Sequence, residues 1–447
     1  MTTAPEPQAP FGARDVKKLG TGLLLGLSAA LITGPVQGNA DAPTLAFRGA
    51  ILDSRVVLYI LLGLGIGGIL VAQDRGLLSG RLPKVSPIAT VQDALRKDRR
   101  LLWAVMAFAV LFAVLFPLTL EPFWQRVLAS QIAIYVLLAL GLNVVVGLAG
   151  LLDLGYIAFF AIGAYTTAYF TGKLPVEPPF ILNPFFVVPV AVLVAALSGV
   201  VLGGPTLRLR GDYLAIVTLG FGEIVRILAV NGDKVPFTGT NVTNGPRGAV
   251  GIPHPSIDLG FFSYEWKLGQ LPYYYLLLVV IALVVILFRN LEESRIGRAW
   301  TAIREDEVAA GASGVPTVKF KLLAFAIGAS TSGLAGVFYA SNIGFIAPDN
   351  FLFLASILVL TMVIFGGMGS ITGVILGAAV LQWLPNALRD RVAPEDRYIY
   401  FGVLLVIMMI FRPQGLLPSK RRAREIKLSE QGIGGADALG TPSGSNA

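Results

Sequence analysis

Apolar runs of membrane-spanning length recur along the whole chain, and no other feature limits its fold as strongly. A hydrocarbon core about 30 Å thick takes about 20 residues of helix to cross. Runs that can cross sit near 19–36, 55–72, 101–119, 127–147, 151–170, 184–203, 213–231, 272–289, 320–343, 352–366, 371–384 and 398–412. Several are short or broken by glycine, so the expected fold is an all-α polytopic membrane bundle of about 10–12 transmembrane helices. Only 14% of the residues are charged and 55% are hydrophobic, whereas soluble domains carry roughly 25% charge. That deficit overrides the two or three soluble domains that length alone suggests.

The net charge of +8 is spread over short loops, where Lys and Arg set membrane orientation, and forms no nucleic-acid patch. Segments 73–100 and 290–319 and the tail after Phe411 are basic, while loops 120–126, 171–183 and 344–351 carry almost no Lys or Arg. A twelve-span count places the basic segments and both termini on one side, read as cytoplasmic. The polar stretch Met1–Lys18 is too long and too acidic for a signal n-region, so the run after it is read as a retained span. Residues 1–100 then form two helices and a basic linker, 101–415 a dense core of spans, and 416–447 a basic and then disordered tail. The external segment 232–271 is long enough for a short helix or hairpin.

Several chemistries are excluded. The chain has no cysteine and a single histidine, His254, which removes disulfides, thiol chemistry and a histidine-based metal site or triad. Gly63-Leu-Gly-Ile-Gly-Gly68 fits a dinucleotide fingerprint only on paper, because it lies within an apolar span with no strand before it. No catalytic residues, metal site or resident cofactor are expected.

The cytoplasmic stretch Arg295–Val315 is polar and helix-favouring. Three acids (Glu305, Asp306, Glu307) are followed by small residues at Ala309, Ala310 and Ala312. It reads either as a solvated connector or as a short helix shaped for a partner's groove, since small side chains allow close backbone approach. The stretch resembles the coupling motif of ATP-binding-cassette importer permeases, a Glu-Ala-Ala with a glycine four residues after the second alanine. Ala309, Ala310 and Gly314 keep that spacing, whereas Val308 stands where the acid is expected and Glu307 is one residue early. That shift resembles the branched-chain amino acid branch. The resemblance implies that 300–316, with Arg304, Glu305, Asp306, Glu307, Ala309, Ala310 and Gly314, docks on an ATPase subunit.

Two other segments are interrupted by glycine. In Gly141–Tyr165, glycines 147, 150, 155 and 163 break an apolar run that contains Asn143 and Asp153. An ionisable group at membrane depth must face protein, a water-filled cavity or the boundary. The segment reads as a re-entrant element or as a turn in which Asp153 caps the next span. A similar texture recurs at Gly366, Gly367, Gly369 and Ser370, and two such segments point to an internal repeat with the pathway between its halves. A third element, Leu207–Arg226, has Arg208, Arg210 and Asp212 at a cytoplasmic turn and Glu223 and Arg226 spaced i, i+3 in the following span. That pair reads as a pathway or interface element, or as a structural ion pair.

Both the late glycine segment and Leu207–Arg226 resemble the same family, and the resemblance covers roughly 101–415. It implies a permease subunit for leucine, isoleucine and valine, paired with a second permease, two ATPase subunits and a periplasmic binding protein. No Gly-x4-Gly-Lys-Ser/Thr loop occurs in the chain, so ATP is expected to be bound by the partner subunits. A urea or short-chain amide permease of the same family would share every motif. An ion-coupled secondary transporter would leave the coupling stretch without a purpose, and a membrane-embedded enzyme finds no acid–base or metal cluster in the spans.

Overall fold

In the computed structural model, residues 113–206, 212–234, 239–258, 263–266 and 271–387 are described, with 389, 402 and 415–417. Almost all of them fall in one of two compact units, Val114–Asn386 with Phe401–Ala447. The expected spans at 19–36, 55–72 and 398–412, most of 101–119, the linker, Arg208, Arg210 and the tail beyond 417 lie outside the described residues.

Eight apolar helices match the remaining expected spans. They are α1 (Pro122–Leu148), α2 (Ile157–Phe170), α3 (Pro184–Thr206), α4 (Asp212–Asn231), α5 (Leu271–Glu293), α8 (Thr317–Ile343), α9 (Phe353–Gly366) and α10 (Ile371–Ala387). Two short polar helices, α6 (Arg295–Glu305) and α7 (Glu307–Ala312), join α5 to α8. Six segments are long and apolar enough to cross a membrane: α1, α3, α4, α5, α8 and Pro348–Gly366, which contains α9. The external segment holds β1 (Ala249–Val250) and a hairpin of β2 (Ser256–Asp258) and β3 (Ser263–Glu265). β1 pairs antiparallel with β4 (Phe345–Ile346), just after α8.

α1 and α8 form the centre. Ile134, Leu137, Leu138, Leu140 and Leu142 of α1 are fully enclosed. α8 packs through small residues, because helices without a hydrophobic driving force between them associate by close van der Waals contact. A Cβ on Gly336 would lie 2.4 Å from the Phe160 carbonyl oxygen and 2.7 Å from the Ala164 nitrogen of α2. Gly163 of α2 meets the backbone of Gly333 in the same way. These contacts bring α2 parallel to the second half of α8.

The connections segregate to two ends. One end carries α6, α7, the 367–370 turn and 415–417, where the Leu416 N–H donates to the Phe365 carbonyl (2.9 Å). The other carries the strands, the 171–183 connection and the Pro348–Phe351 turn. There His254 bonds the Ser341 carbonyl through Nδ1 (2.6 Å), a structural contact at the end of α8.

One span differs from expectation. The run 151–170 is helical only from Ile157, and 149–156 is irregular, neither helix nor strand. Gly150, at φ +73°, turns the chain out of α1 in a conformation that a side chain would strain.

Gly336→Leu should lower the thermal midpoint of the detergent-solubilised protein, since overpacking costs about 1–3 kcal/mol. Gly204→Ala, whose added Cβ meets nothing within 4 Å, should leave it unchanged.

Candidate functional site

The last turns of α1 widen before the chain breaks. Over Asn143–Leu148 the hydrogen bonds lengthen by a residue, as in Ala149 N–H to the Val144 carbonyl (3.0 Å). Such widened turns occur often at functional positions. The irregular segment that follows runs back into the bundle. Tyr156 Oη donates to the Gly328 carbonyl (3.1 Å), and Gly328 lies near the middle of α8. α2 therefore starts at about half the depth of the bundle, as a discontinuous helix.

Peptide groups at that depth need partners from the protein. The Leu154 N–H donates to Thr218 Oγ1 (3.0 Å) on α4, and the Ile157 N–H to Ser356 Oγ (3.0 Å) on α9. The Gly155 N–H donates to Asp153 Oδ1 (3.0 Å). Asp153 thus closes the turn ahead of the helix and does not cap α2, whose N-cap is Tyr156. Its carboxyl is 1% exposed, and Oδ2 finds no partner among the described residues.

The second glycine segment docks on the first. The Gly369 N–H donates to Asn143 Oδ1 (2.8 Å), a buried bond joining positions 226 residues apart. A Cβ on Gly147 would lie 2.5 Å from the Gly369 nitrogen, so only glycine allows this approach. Gly367 (φ +116°) and Gly369 (φ +80°) turn the chain between α9 and α10. Ser370 Oγ accepts from the Gly373 N–H (3.1 Å) at the start of α10, and Gly366 packs directly on Gly373.

The polar segment reaches this junction. Ser294 caps α6 by accepting from the Ile296 N–H (3.1 Å), and Trp300, fully buried, donates Nε1–H to the Phe320 carbonyl (2.7 Å). The anchored helix delivers Arg304 to the break. Its guanidinium donates to the Gly147 carbonyl, and its aliphatic stem covers Gly150, where a Cβ would lie 2.7 Å from Arg304 Cγ. The acids divide their tasks. Asp306 caps α7, accepting from the Val308 (2.8 Å) and Ala309 (3.0 Å) N–H groups, and so splits the stretch into two helices. Glu307 pairs with the ammonium of Lys321 on α8, whose side chain is only 6% exposed. Glu305 stays at the surface, as do Val308, Ala309 and Gly314, whereas Ala310 is turned inward.

The break also touches α4. A Cβ on Gly155 would lie 1.8 Å from the Thr218 carbonyl oxygen, and Gly222, one turn along α4, packs on Gly155 as well. A continuous set of contacts therefore runs from Arg304 through 147–155 to α4. Glu223 and Arg226 lie one turn beyond, joined by a bidentate ion pair from Arg226 Nε (2.9 and 3.1 Å) and its terminal nitrogen. Gly163 takes no part in the junction and serves the α2–α8 packing.

Sequence reasoning missed Lys321, Thr218, Ser356 and Trp300. A lysine at the mouth of an apolar span was a visible signal for Lys321. The others are ordinary residue types whose role depends on which backbone group they meet.

Asn143→Ala leaves the Gly369 N–H buried and unpaired, and should cost about 1–3 kcal/mol in the thermal unfolding of the solubilised protein. Glu307→Ala strands the buried ammonium of Lys321 and should lower the midpoint more than Lys321→Met, which removes the charge together with the need for a partner.

A family model described as branched-chain amino acid transport system, permease component, matches residues 127–412. Over 324 residues the chain is 43% identical to the high-affinity branched-chain amino acid transport system permease protein LivM of Salmonella typhimurium. That alignment covers 67% of this chain and 71% of the relative, and LivM of Escherichia coli aligns equally well. A stretch of 124 residues is 32% identical to the permease protein LivH of Escherichia coli, covering 28% of this chain and 40% of LivH. No solved structure matches. With the family model matched over more than half of its length, this multi-pass membrane chain belongs to the branched-chain amino acid transport system permease family.

Proposed function

We propose that the chain is a permease subunit of an ATP-binding-cassette importer that carries leucine, isoleucine and valine into the cytoplasm. The observation that carries this reading is the junction of a polar two-helix segment with two glycine breaks inside the bundle. A connector needs no such fastening. A lever does, because displacement of α6 and α7 is passed by Arg304 to 147–155 and by Lys321 to α8.

The outward face of the segment, with Val308 74% exposed beside Ala309, Ala312 and Gly314, suits docking on an ATPase subunit that closes on ATP. Gly314, at φ +83° with open space around it, ends that surface. Orientation follows from charge. The α5–α8 connection and the first turn of α8 hold Arg295, Arg298, Arg304 and Lys319, whereas 344–351 at the other end has neither Lys nor Arg. The α6–α7 end is then cytoplasmic, and the strand-bearing end receives a periplasmic binding protein. Similarity to both LivM and LivH supports pairing with a second, related permease. Residues 1–100 would add two spans and a basic cytoplasmic linker, and both termini would be cytoplasmic. Transport proceeds by alternating access around a site near mid-depth, where discontinuous helices commonly form one.

In cells lacking this chain, radiolabelled leucine uptake should be lost, and restored uptake should be competed by isoleucine and not by urea. Competition by urea would move the substrate to amides. Gly314→Trp should abolish leucine uptake at unchanged membrane abundance, and normal uptake by that variant would overturn the docking assignment.

A further inference from the structure

Exposed helix faces in this bundle are of two kinds. On α3 the outward residues include Leu193, Leu197 and Val201, and on α5 Val279, Leu283 and Ile286, with no charge in the middle of either helix. These faces suit lipid. α4 exposes Ile216, Ile224, Ile227 and Leu228 in the same way, but the stripe also carries Glu223, with Arg226 at its edge. Among the described spans, these two are the only charged residues in the middle half of a helix.

Their side chains are 39% and 25% exposed, so the pair is not enclosed by its own subunit. Charges at mid-depth face protein or a water-filled cavity, because exposure to hydrocarbon costs several kcal/mol. The depth is set by contact: Gly222, next to Glu223, packs on Gly155, just before the mid-depth start of α2.

We infer that this face of α4 lines the aqueous substrate path, where Glu223 takes the α-ammonium and Arg226 the α-carboxylate of a passing zwitterionic amino acid. The inference rests on the importer reading above. An anion and a cation held side by side and neutral as a pair are complementary to a zwitterion. The substrate exchanges one ion pair for two without adding net charge. A second carboxylate, Asp349 in the turn before α9, lies within electrostatic reach of Arg226. Apolar contact for a branched side chain comes from Ile224 and Ile227. Gly220, one turn earlier, leaves a recess, since a Cβ there meets nothing within 4 Å. A neutral amide such as urea has no use for such a pair.

The chain contains no cysteine, so a single introduced cysteine is the only thiol labelled on this subunit. In proteoliposomes holding the whole importer, Gly220→Cys and Ile224→Cys should react with a charged, membrane-impermeant methanethiosulfonate. Leucine delivered by the binding protein should slow that reaction, while Leu197→Cys on α3 and Leu283→Cys on α5 should stay unreactive. Reaction at 220 and 224 no faster than at 197 and 283 would overturn the path assignment, whether lipid or a sealed subunit contact covers the face. Reaction that leucine does not slow would overturn the recognition.

The double exchange Glu223→Arg with Arg226→Glu keeps an i, i+3 ion pair and reverses its polarity. It should lower leucine uptake about tenfold or more, the scale of one hydrogen bond to a charged group, with unchanged abundance and thermal midpoint. Retained uptake would reduce the pair to a structural one. If the unaltered importer carried no leucine, the importer reading would fail by that result alone, while labelling would still report whether α4 faces water.

Discussion

Inside a bilayer no water is available to a peptide group, and the centre of this protein is organised around that shortage. The irregular segment 149–156 interrupts two apolar helices where a continuous helix would satisfy every N–H and C=O by itself. Its partners come from α4 (Thr218), α9 (Ser356), α8 (Ser332, through the Tyr156 carbonyl) and its own Asp153. Three helices are thereby committed to fixed positions around one break. A helix turned by even one residue would present a different side chain and leave a buried donor unpaired, at about 1–3 kcal/mol each.

Close packing supplies the second condition. Gly147 against Gly369, Gly155 against Thr218 and Gly222, and Gly336 against α2 are backbone-to-backbone contacts with no room for a Cβ. Contacts of this kind leave little slack, because no flexible side chain lies between the packed backbones. Arg304 is the exception, and its geometry explains its use. A long stem lies on Gly150 while the guanidinium holds the Gly147 carbonyl, so one side chain grips both sides of the break from the surface.

Much of this was legible in the sequence. Each expected span within the described residues corresponds to a helix, because about 20 apolar residues have few other stable arrangements in a membrane. The glycine clusters at 147–155 and 366–369 were visible as exceptions to the helical pattern, and they proved to be neighbours. The three acids 305–307 were read as one feature of a docking stretch. They hold separate places, Asp306 as a cap and Glu307 as the partner of Lys321, because hydrogen-bond geometry separates adjacent residues that composition groups together. The reading of Asp153 as a helix cap failed for a related reason. Its carboxyl is consumed by the turn two residues on, and the first peptide of α2 is served from α9.

By itself the sequence determined that this chain is a polytopic helical membrane protein and where its described spans lie, and it marked 295–315 as a polar stretch between two of them. Those properties are local, since hydropathy, helix length and loop charge act through neighbouring residues. Tertiary structure alone decided that α2 begins at mid-depth, that Asn143 reaches Gly369 and that Arg304 closes on Gly147. It also separated the exposed face of α4, which carries charge in mid-helix, from those of α3 and α5, which do not. Such facts depend on contacts between residues tens to hundreds of positions apart. No local pattern encodes them, because an apolar helix reads the same whether it faces lipid, a partner or the core.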